Sequence, residues 1–343
     1  MLTIEADRLT KVTTDIFRAA GASAENTDML VASLIGANLA GHDSHGLLRV
    51  PYYVSEIENG RLDPAATPTV THETPTTAVV DGANTFGQVG SRFAADLAIR
   101  KAGESGIAAV TAINCHHTGR IGEWVERVAA AGMVGFATTS GPNGPYSTVP
   151  FGGSKGALGT NPLAWAIPRA NGQAPILLDY ATSAVAQGKL QVARAKGEPV
   201  PAGAIIDKDG NPTTDVEKYF DGGSLLPFAG HKGYALSVVV ELLSVGLGGG
   251  HKGAEGKRSS GLFVLAMSPA AFGSAADFTE YTESVAARLT GIPPSPGFSR
   301  VMMPGEPEAS TREARLRDGV PVPERTWEAI EQTAKEQGVT IAS

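Results

Sequence analysis

The chain has 343 residues, 42% of them hydrophobic and 18% charged, and a formal net charge of −7. That length suggests about two domains around a sizeable core, and the acidic balance argues against nucleic acid or an anionic membrane as partner. The N-terminus, MLTIEADRLT, has charges where a signal peptide needs an apolar core, and the longest apolar stretch, YALSVVVELLSVGL, carries Glu241 and is too short for a bilayer.

In chain order, EADRLTKVTTDIFRAAG and SAENTDMLVASLIGANLAGHDSHG read as helices, with Gly21 and Gly60 as stops and Ser23 as a cap three residues before Asn26. LLRVPYYVSEIENG is helical as well. TTAVVDG reads as a strand, SRFAADLAIRKAGESG as an amphipathic helix, and GIAAVTAIN, MVGFATTS, PLAWAIP and APILLDYA as short buried strands. Between them, GPNGPYSTVPFGGSKGALGTNP is a long Gly/Pro loop, a length that in a compact domain points to function. In DYATSAVAQGKLQVARAKG a strand ends at Asp179, and Thr182 or Ser183 is expected to cap a helix running to Gly197. AIIDKDGNPTTD reads as a hairpin around Asp209-Gly210. KGYALSVVVELLSVGL reads as a helix opened by Gly230-His231-Lys232, GLFVLAMS as a strand and DFTEYTESVAARLTGI as a helix. The last helix is PERTWEAIEQTAKEQG, with Pro323 in its first turn. Strands and helices mix without strict βαβ alternation, so an α/β or α+β protein with a mixed sheet is expected.

The dinucleotide fingerprint G-x-G-x-x-G occurs once, in GGGHKG from Gly248 to Gly253, after a helix rather than a strand, which is the wrong context. DKDGN has its glycine too early for a calcium loop, with Pro212 close behind, and reads as a turn. The sequence has no H-E-x-x-H, which weakens a metalloprotease reading. The helix starts at Thr182/Ser183 and at Gly230-His231-Lys232 are better anion sites, since free N–H groups and the helix dipole favour a phosphate-bearing cofactor.

The densest chemistry lies in GHDSHGLLRV, Gly41 to Val50. If the helix continues through it, His45, Arg49 and Tyr53 share one face. An arginine can hold a carboxylate in a two-pronged grip, an imidazole one turn away can exchange a proton at the adjacent carbon, and Ser44 can orient the ring. A solvated helix end, or a metal held by His42 and His45 with no evident third ligand, are alternative readings. In NCHHTGRIGEW, between a strand and a helix, His116 and His117 read as acid/base groups or as helix caps. The single cysteine, Cys115, excludes an internal disulfide framework, fits a reducing, cytoplasmic compartment and reads as a small buried hydrophobe before a nucleophile.

GHDSHGLLRVPYY, NCHHTGRIGEW, GTNPLAWAIP, DYATSAVAQGK, IIDKDGNPTTD, GSLLPFAGHKGYAL and MPGEPE, in this order, resemble the malate/L-lactate dehydrogenase superfamily of non-Rossmann NAD(P)-dependent oxidoreductases. The likeness runs from about Leu9 to Gly319 and is closest to the bacterial hydroxycarboxylate dehydrogenase branch. It implies an NAD(P)-binding domain with a mixed, largely antiparallel sheet at 116–274, and a helical substrate-side domain built from 1–115 and 275–343. It implies interconversion of a 2-hydroxycarboxylate and a 2-oxocarboxylate, with His45 as proton donor, Ser44 supporting it and His117 near substrate and nicotinamide. Arg49, Tyr53 and Thr160 fall on the substrate side. His117, Thr118, Gly119, Asp179, Tyr180, Ala181, Thr182, Ser183, His231, Lys232, Pro304, Gly305 and Glu306 fall on the cofactor side. No metal is implied. NAD is expected before NADP, because no basic cluster waits for a 2′-phosphate, and a homodimer is expected because family members are homodimers. Where cyclic-imine reductases of the superfamily carry a relay aspartate, this chain has Lys189. Imine or ureido-acid chemistry is therefore the alternative, and a metal-dependent hydrolase or lyase using His42, His45 and His117 a remote one.

Overall fold

The computed structural model describes residues 1–141, 146–252 and 260–341. β1 (Leu2–Ile4) leads into α1 (Ala6–Ala19) and α2 (Ala24–Leu39). Ser23 caps α2 as its spacing predicts, its hydroxyl accepting the Asn26 N–H at 3.2 Å. The helix does not run on through the polar stretch. It ends at Leu39, and two 3-10 turns, Asp43–His45 and Leu47–Arg49, precede α3 (Val50–Glu58). The cause is side-chain competition for the backbone. Asn38 accepts the Leu47 N–H at 2.8 Å and donates to Asp43 at 2.7 Å, while Arg315 donates to both Asp43 carboxylate oxygens and to the Asn38 carbonyl. A Cβ at Gly46 would lie 2.0 Å from Asn38 Oδ1, so this arrangement admits only glycine there.

The chain continues through β2 (Thr69–Glu73), β3 (Thr77–Asp81), α4 (Gly87–Ser105), β4 (Ile107–Cys115), α5 (Gly122–Ala130), β5 (Val134–Ser140), β6 (Leu163–Ile167) and β7 (Ile176–Tyr180). After α6 (Gln187–Lys196) come β8 (Ile205–Ile206), β9 (Pro212–Thr213), α7 (Val216–Phe220) and β10 (Ser224–Leu225). α8 (His231–Glu241) then passes into a π-helical turn at Leu242–Gly246. β11 (Ser260–Met267), α9 (Ala275–Thr290), α10 (Glu306–Asp318), β12 (Val320–Val322) and α11 (Glu324–Glu336) follow. Pro323 is the residue before α11 rather than part of its first turn. The GGGHKG run enters a 3-10 turn at Gly250–Lys252, and Gly253 lies outside the described residues.

Seven strands form one sheet in the order β2-β3-β4-β11-β5-β6-β7. Only β3 and β4 pair in parallel; every other neighbouring pair is antiparallel. Side chains alternate across a strand, and each face has its own cover. Val110, Ala112, Ala137 and Val264 pack with Ala94, Leu97, Val125 and Val128 of α4 and α5 in an alanine-rich core. The opposite face meets α8 and its π turn, where Thr138 and Ser244 share a hydrogen bond of 2.8 Å. The expected hairpin forms from β8 and β9: Asp207 accepts the Asp209 and Asn211 N–H groups, and Gly210 takes φ 89°.

A second core joins the first part of the chain to the last. Leu9, Ile16, Phe17, Leu30, Leu34 and Tyr53 pack with Val320, Trp327 and Ile330, and β1 pairs antiparallel with β12. The helical unit is thus built from N- and C-terminal segments. Strands β2, β3 and β4, expected on the helical side of a boundary at 115, hydrogen-bond within the large sheet. Among the described residues no helix is long and apolar enough to cross a membrane.

Candidate functional site

The two histidine motifs meet where the helical unit faces the sheet. His45, on the first 3-10 turn, and His117, just past β4, stack with ring centroids 5.6 Å apart and planes within 18°. The Ser44 hydroxyl lies 3.0 Å from His45 Nδ1. Arg49 anchors itself by donating Nε–H to the Ser44 carbonyl at 2.7 Å, which leaves the two terminal nitrogens as a fork. Tyr53 is fully buried, and its hydroxyl is taken up by His117 Nδ1 at 2.7 Å and by Gln88 at 2.8 Å. It therefore reaches the site through His117.

Burial, with Arg49 as the next cause, lowers the His45 pKa to about 3 and holds His117 well below the ordinary imidazole range. Both rings are neutral around neutral pH. His116 has a different place. It is buried, with Nε2 3.1 Å from Glu56, whose carboxylate is gripped by Arg61. That grip holds the Glu56 carboxyl below its usual range, and the pair ties α3 to the loop that presents His117.

The cofactor-side residues expected from the sequence fall in three groups. The first surrounds the end of β7. Asp179 accepts the Gly122 N–H at 2.8 Å at the start of α5; burial pushes its carboxyl up, against the pull of Arg120. Thr118 spends its polar atoms internally, donating to Thr139 at 3.2 Å and accepting Trp124 Nε1–H at 3.1 Å. Gly119, at φ 74°, threads between Gln88 and Ser33.

Thr182 and Ser183 do not cap α6, which starts at Gln187 with no side-chain cap. The Thr182 hydroxyl donates towards the Thr160 and Asn161 carbonyls, its N–H goes to Thr160, and its carbonyl takes the Phe228 N–H. Ser183 donates to the Val185 carbonyl at 2.9 Å. These bonds staple the segment, extended, between the Gly/Pro loop and Phe228. Asn161, at φ 38°, is held in turn by Ser140, Glu241 and the Ser237 carbonyl. The rings of Tyr180 and Phe228 pack edge to face, their centroids 5.3 Å apart.

The second group opens α8. His231 and Lys232 are exposed, with Phe151 packed against the His231 ring at 5.8 Å. The N–H groups of Lys232, Gly233 and Tyr234 already turn back to carbonyls of Ala229, Phe228 and Gly230. Positive character here comes from side chains and dipole more than from free donors, contrary to the sequence reading. The third group, Pro304 to Glu306, folds onto the start of β7: the Pro304 carbonyl accepts the Leu177 N–H at 3.0 Å, and Gly305, at φ 94°, opens α10.

The structure adds residues that the motifs did not announce. Arg120 is 2% exposed and ion-paired with Glu126, yet its Nε and Nη1 have no hydrogen-bond partner among the described residues. Glu123 accepts from Ser33 at 2.6 Å, and burial pushes its carboxyl up to about 7. Gln88 sits in an apolar run, FGQVGSRFAADLA, where its polarity was the available signal. No group of three histidine, cysteine or acidic side chains is placed to hold a metal among the described residues; His42 instead lies 3.6 Å from Glu308. Cys115 is wedged between Gly82 and Gly90, where added Cβ atoms would lie 2.5 Å from its sulfur, and burial pushes its thiol up to about 12. It is packing, not a nucleophile.

A family model described as malate/L-lactate dehydrogenase matches residues 4–331. Hydroxycarboxylate dehydrogenase B of Escherichia coli (strain K12) is 39% identical, over 94% of this chain and 91% of its own length. A Delta(1)-pyrroline-2-carboxylate/Delta(1)-piperideine-2-carboxylate reductase of Pseudomonas syringae pv. tomato is 34% identical, over 97% of this chain and 96% of its own. The crystal structure of malate dehydrogenase from Entamoeba histolytica superposes with a TM-score of 0.92 at 29% identity, covering 99% of each chain. Fold and relatives together define an oxidoreductase of the hydroxycarboxylate dehydrogenase type. The chain belongs to the malate/L-lactate dehydrogenase family.

Proposed function

We propose that the protein interconverts a 2-hydroxycarboxylate and a 2-oxocarboxylate with NAD, His45 exchanging the proton and Arg49 holding the carboxylate. The observation that carries this reading is the stacked, neutral pair His45 and His117 beside the Arg49 fork. The surroundings fit a nicotinamide dinucleotide. Arg120 Nε and Nη1 are buried donors without a hydrogen-bond partner among the described residues, next to the Asp179 segment, and exposed His231 and Lys232 open a helix whose side chains and dipole suit a phosphate. When bound, that cofactor supplies or accepts the hydride.

The protein's own part follows from electrostatics. In the free protein His45 resists protonation, first through burial and then through Arg49. A substrate carboxylate paired with Arg49 cancels that second cause, so the His45 pKa rises as the substrate docks. Oxo-acid binding thereby readies the acid that reduction needs, while the neutral ring suits the base role in oxidation. Ser44 meets Gly188, whose Cβ would lie 3.1 Å from Ser44 Cβ, and the neighbouring Lys189 is exposed. Nothing at that position supplies a relay carboxylate, which favours oxo acids over cyclic imines.

Oxidation of NADH and of NADPH by the purified protein, against a panel of 2-oxo acids and one cyclic imine, tests the reading. Turnover of an oxo acid with NADH is expected, and Arg49→Ala should raise its KM about 10- to 100-fold, the worth of a charge-assisted fork. Turnover of the imine alone would overturn the substrate class.

The reading includes a homodimer, supported by an exposed apolar face on α8 and its π turn: Leu236, Val239, Leu242 and Leu247 are 37%, 50%, 61% and 62% exposed. Sedimentation equilibrium should give twice the 35.3 kDa of one chain; a monomer at micromolar concentration would remove the dimer from the proposal.

A further inference from the structure

Two imidazoles stack at the proposed substrate site, and two fully buried groups, Tyr53 and Gln88, stand behind one of them. Tyr53 OH lies 2.7 Å from His117 Nδ1 and receives the Gln88 Nε2–H at 2.8 Å. Tyr53 and Gln88 are both 0% exposed. A phenol has a single hydrogen. With its oxygen taken by the Gln88 donor, that hydrogen goes to His117 Nδ1. Nδ1 is then an acceptor, and a neutral ring must carry its proton on Nε2.

The reverse direction would need Gln88 to present Oε1 to Tyr53. That would put both amide hydrogens where Oε1 now sits, a buried position without a hydrogen-bond partner among the described residues. Buried N–H groups without acceptors are rarer than under-satisfied carbonyls, so the chain runs from Gln88 through Tyr53 to His117. Among the described residues His45 has no such chain behind it. Its Nδ1 meets the Ser44 hydroxyl at 3.0 Å, a rotor that can donate or accept, so His45 can take either tautomer during a turnover.

We propose that Gln88 and Tyr53 are positioning residues that lock His117 in its Nε2–H tautomer, making it a fixed hydrogen-bond donor to the substrate's 2-oxygen and leaving proton exchange to His45. This rests on the placement of both histidines at the substrate proposed above. It gives the two neutral rings separate tasks: one donor that holds charge developing on oxygen without losing its proton, and one group that transfers a proton. A donor of the first kind works because its direction is set before the reaction begins.

The test is nitrogen NMR of the intact protein with 15N-labelled histidine, which carries seven such rings; the His117 signals are those that vanish in His117→Ala. The expected pattern is a pyrrole-type Nε2 and a pyridine-type Nδ1. Tyr53→Phe and Gln88→Met keep most of the side-chain bulk. Each should turn this pattern into an average of two tautomers and lower kcat about tenfold, with KM for the oxo acid changing less. A purely structural role would shift stability without mixing tautomers. A proton on Nδ1 in the unaltered protein, or a Gln88→Met variant with the tautomer pattern and kcat unchanged, would overturn the lock. The spectrum needs no turnover, so the two readings can fail separately. A locked ring in a protein whose His117→Ala variant turns over normally would instead remove His117 from the substrate and the donor role with it.

Discussion

Replacing His45 with alanine is expected to lower kcat by at least about a hundredfold, the contribution of a positioned general acid or base, in both directions of the reaction. The effect should fall on kcat rather than on cofactor affinity, because His45 sits on a short turn whose backbone is held elsewhere. Asn38 and Arg315 fix Asp43, and Arg49 grips the Ser44 carbonyl. Removing the imidazole takes away the proposed proton carrier without collapsing that frame, so NADH binding measured by fluorescence should change little. The drop should be steepest for reduction, where His45 must arrive protonated although burial opposes it. Steady-state turnover in both directions is the check, and near-normal turnover would remove His45 from the chemistry.

The second large effect is expected at Gly87, which carries no chemistry. A Cβ there would lie 2.3 Å from the carbonyl oxygens of both His116 and His117. Neither oxygen can retreat alone. The His116 N–H is bound to the Thr85 carbonyl at 3.1 Å, its ring to Glu56, and the His117 ring to Tyr53. Gly87→Ala must therefore push the whole loop away from α4. Overpacking of this kind costs about 1–3 kcal/mol, or roughly 1–4 °C in Tm at about 1.4 °C per kcal/mol for a chain of this size. Activity should suffer more than stability, because a shift of about 1 Å at a reacting group can cost about a hundredfold. Thermal unfolding and turnover measured on one preparation separate the two losses. A variant with unchanged Tm and unchanged kcat would show that the loop yields freely.

Chemistry concentrated in a short motif was legible in the sequence; geometry made by distant side chains was not. SHG and HHTG announced His45 and His117 because polar groups interrupt apolar patterns there. Their meeting depends on Asn38 and Arg315, 277 residues apart along the chain, and no spacing rule reports that. The helix assumed to carry His45, Arg49 and Tyr53 on one face gives way to two 3-10 turns for the same reason: Asn38 and Asp43 offer the backbone better partners than the next helical turn. Thr182 and Ser183 have the composition of caps, but Thr160 and Asn161 claim Thr182 from across the site. Six of the seven sheet strands read correctly because buried apolar runs between glycines and prolines leave few alternatives, whereas β2, exposed along its whole length, carries no such run. Their order did not, since β11 inserts between β4 and β5 from more than 120 residues downstream of β5.

The pairing of β1 with β12, and of α1 to α3 with α11, has a consequence in time. The segment up to about residue 60 carries His45, Arg49 and Tyr53, but its hydrophobic partners Val320, Trp327 and Ile330 lie far downstream and leave the ribosome much later. Contacts of such long sequence separation close slowly, and a chain still being synthesised holds its apolar N-terminal helices without the surface that covers them. The two 3-10 turns that carry His45 and Arg49 thus take their final form only after β12 and α11 have been made. Nascent fragments that lack β12 and α11 are the species most exposed to aggregation and to chaperones.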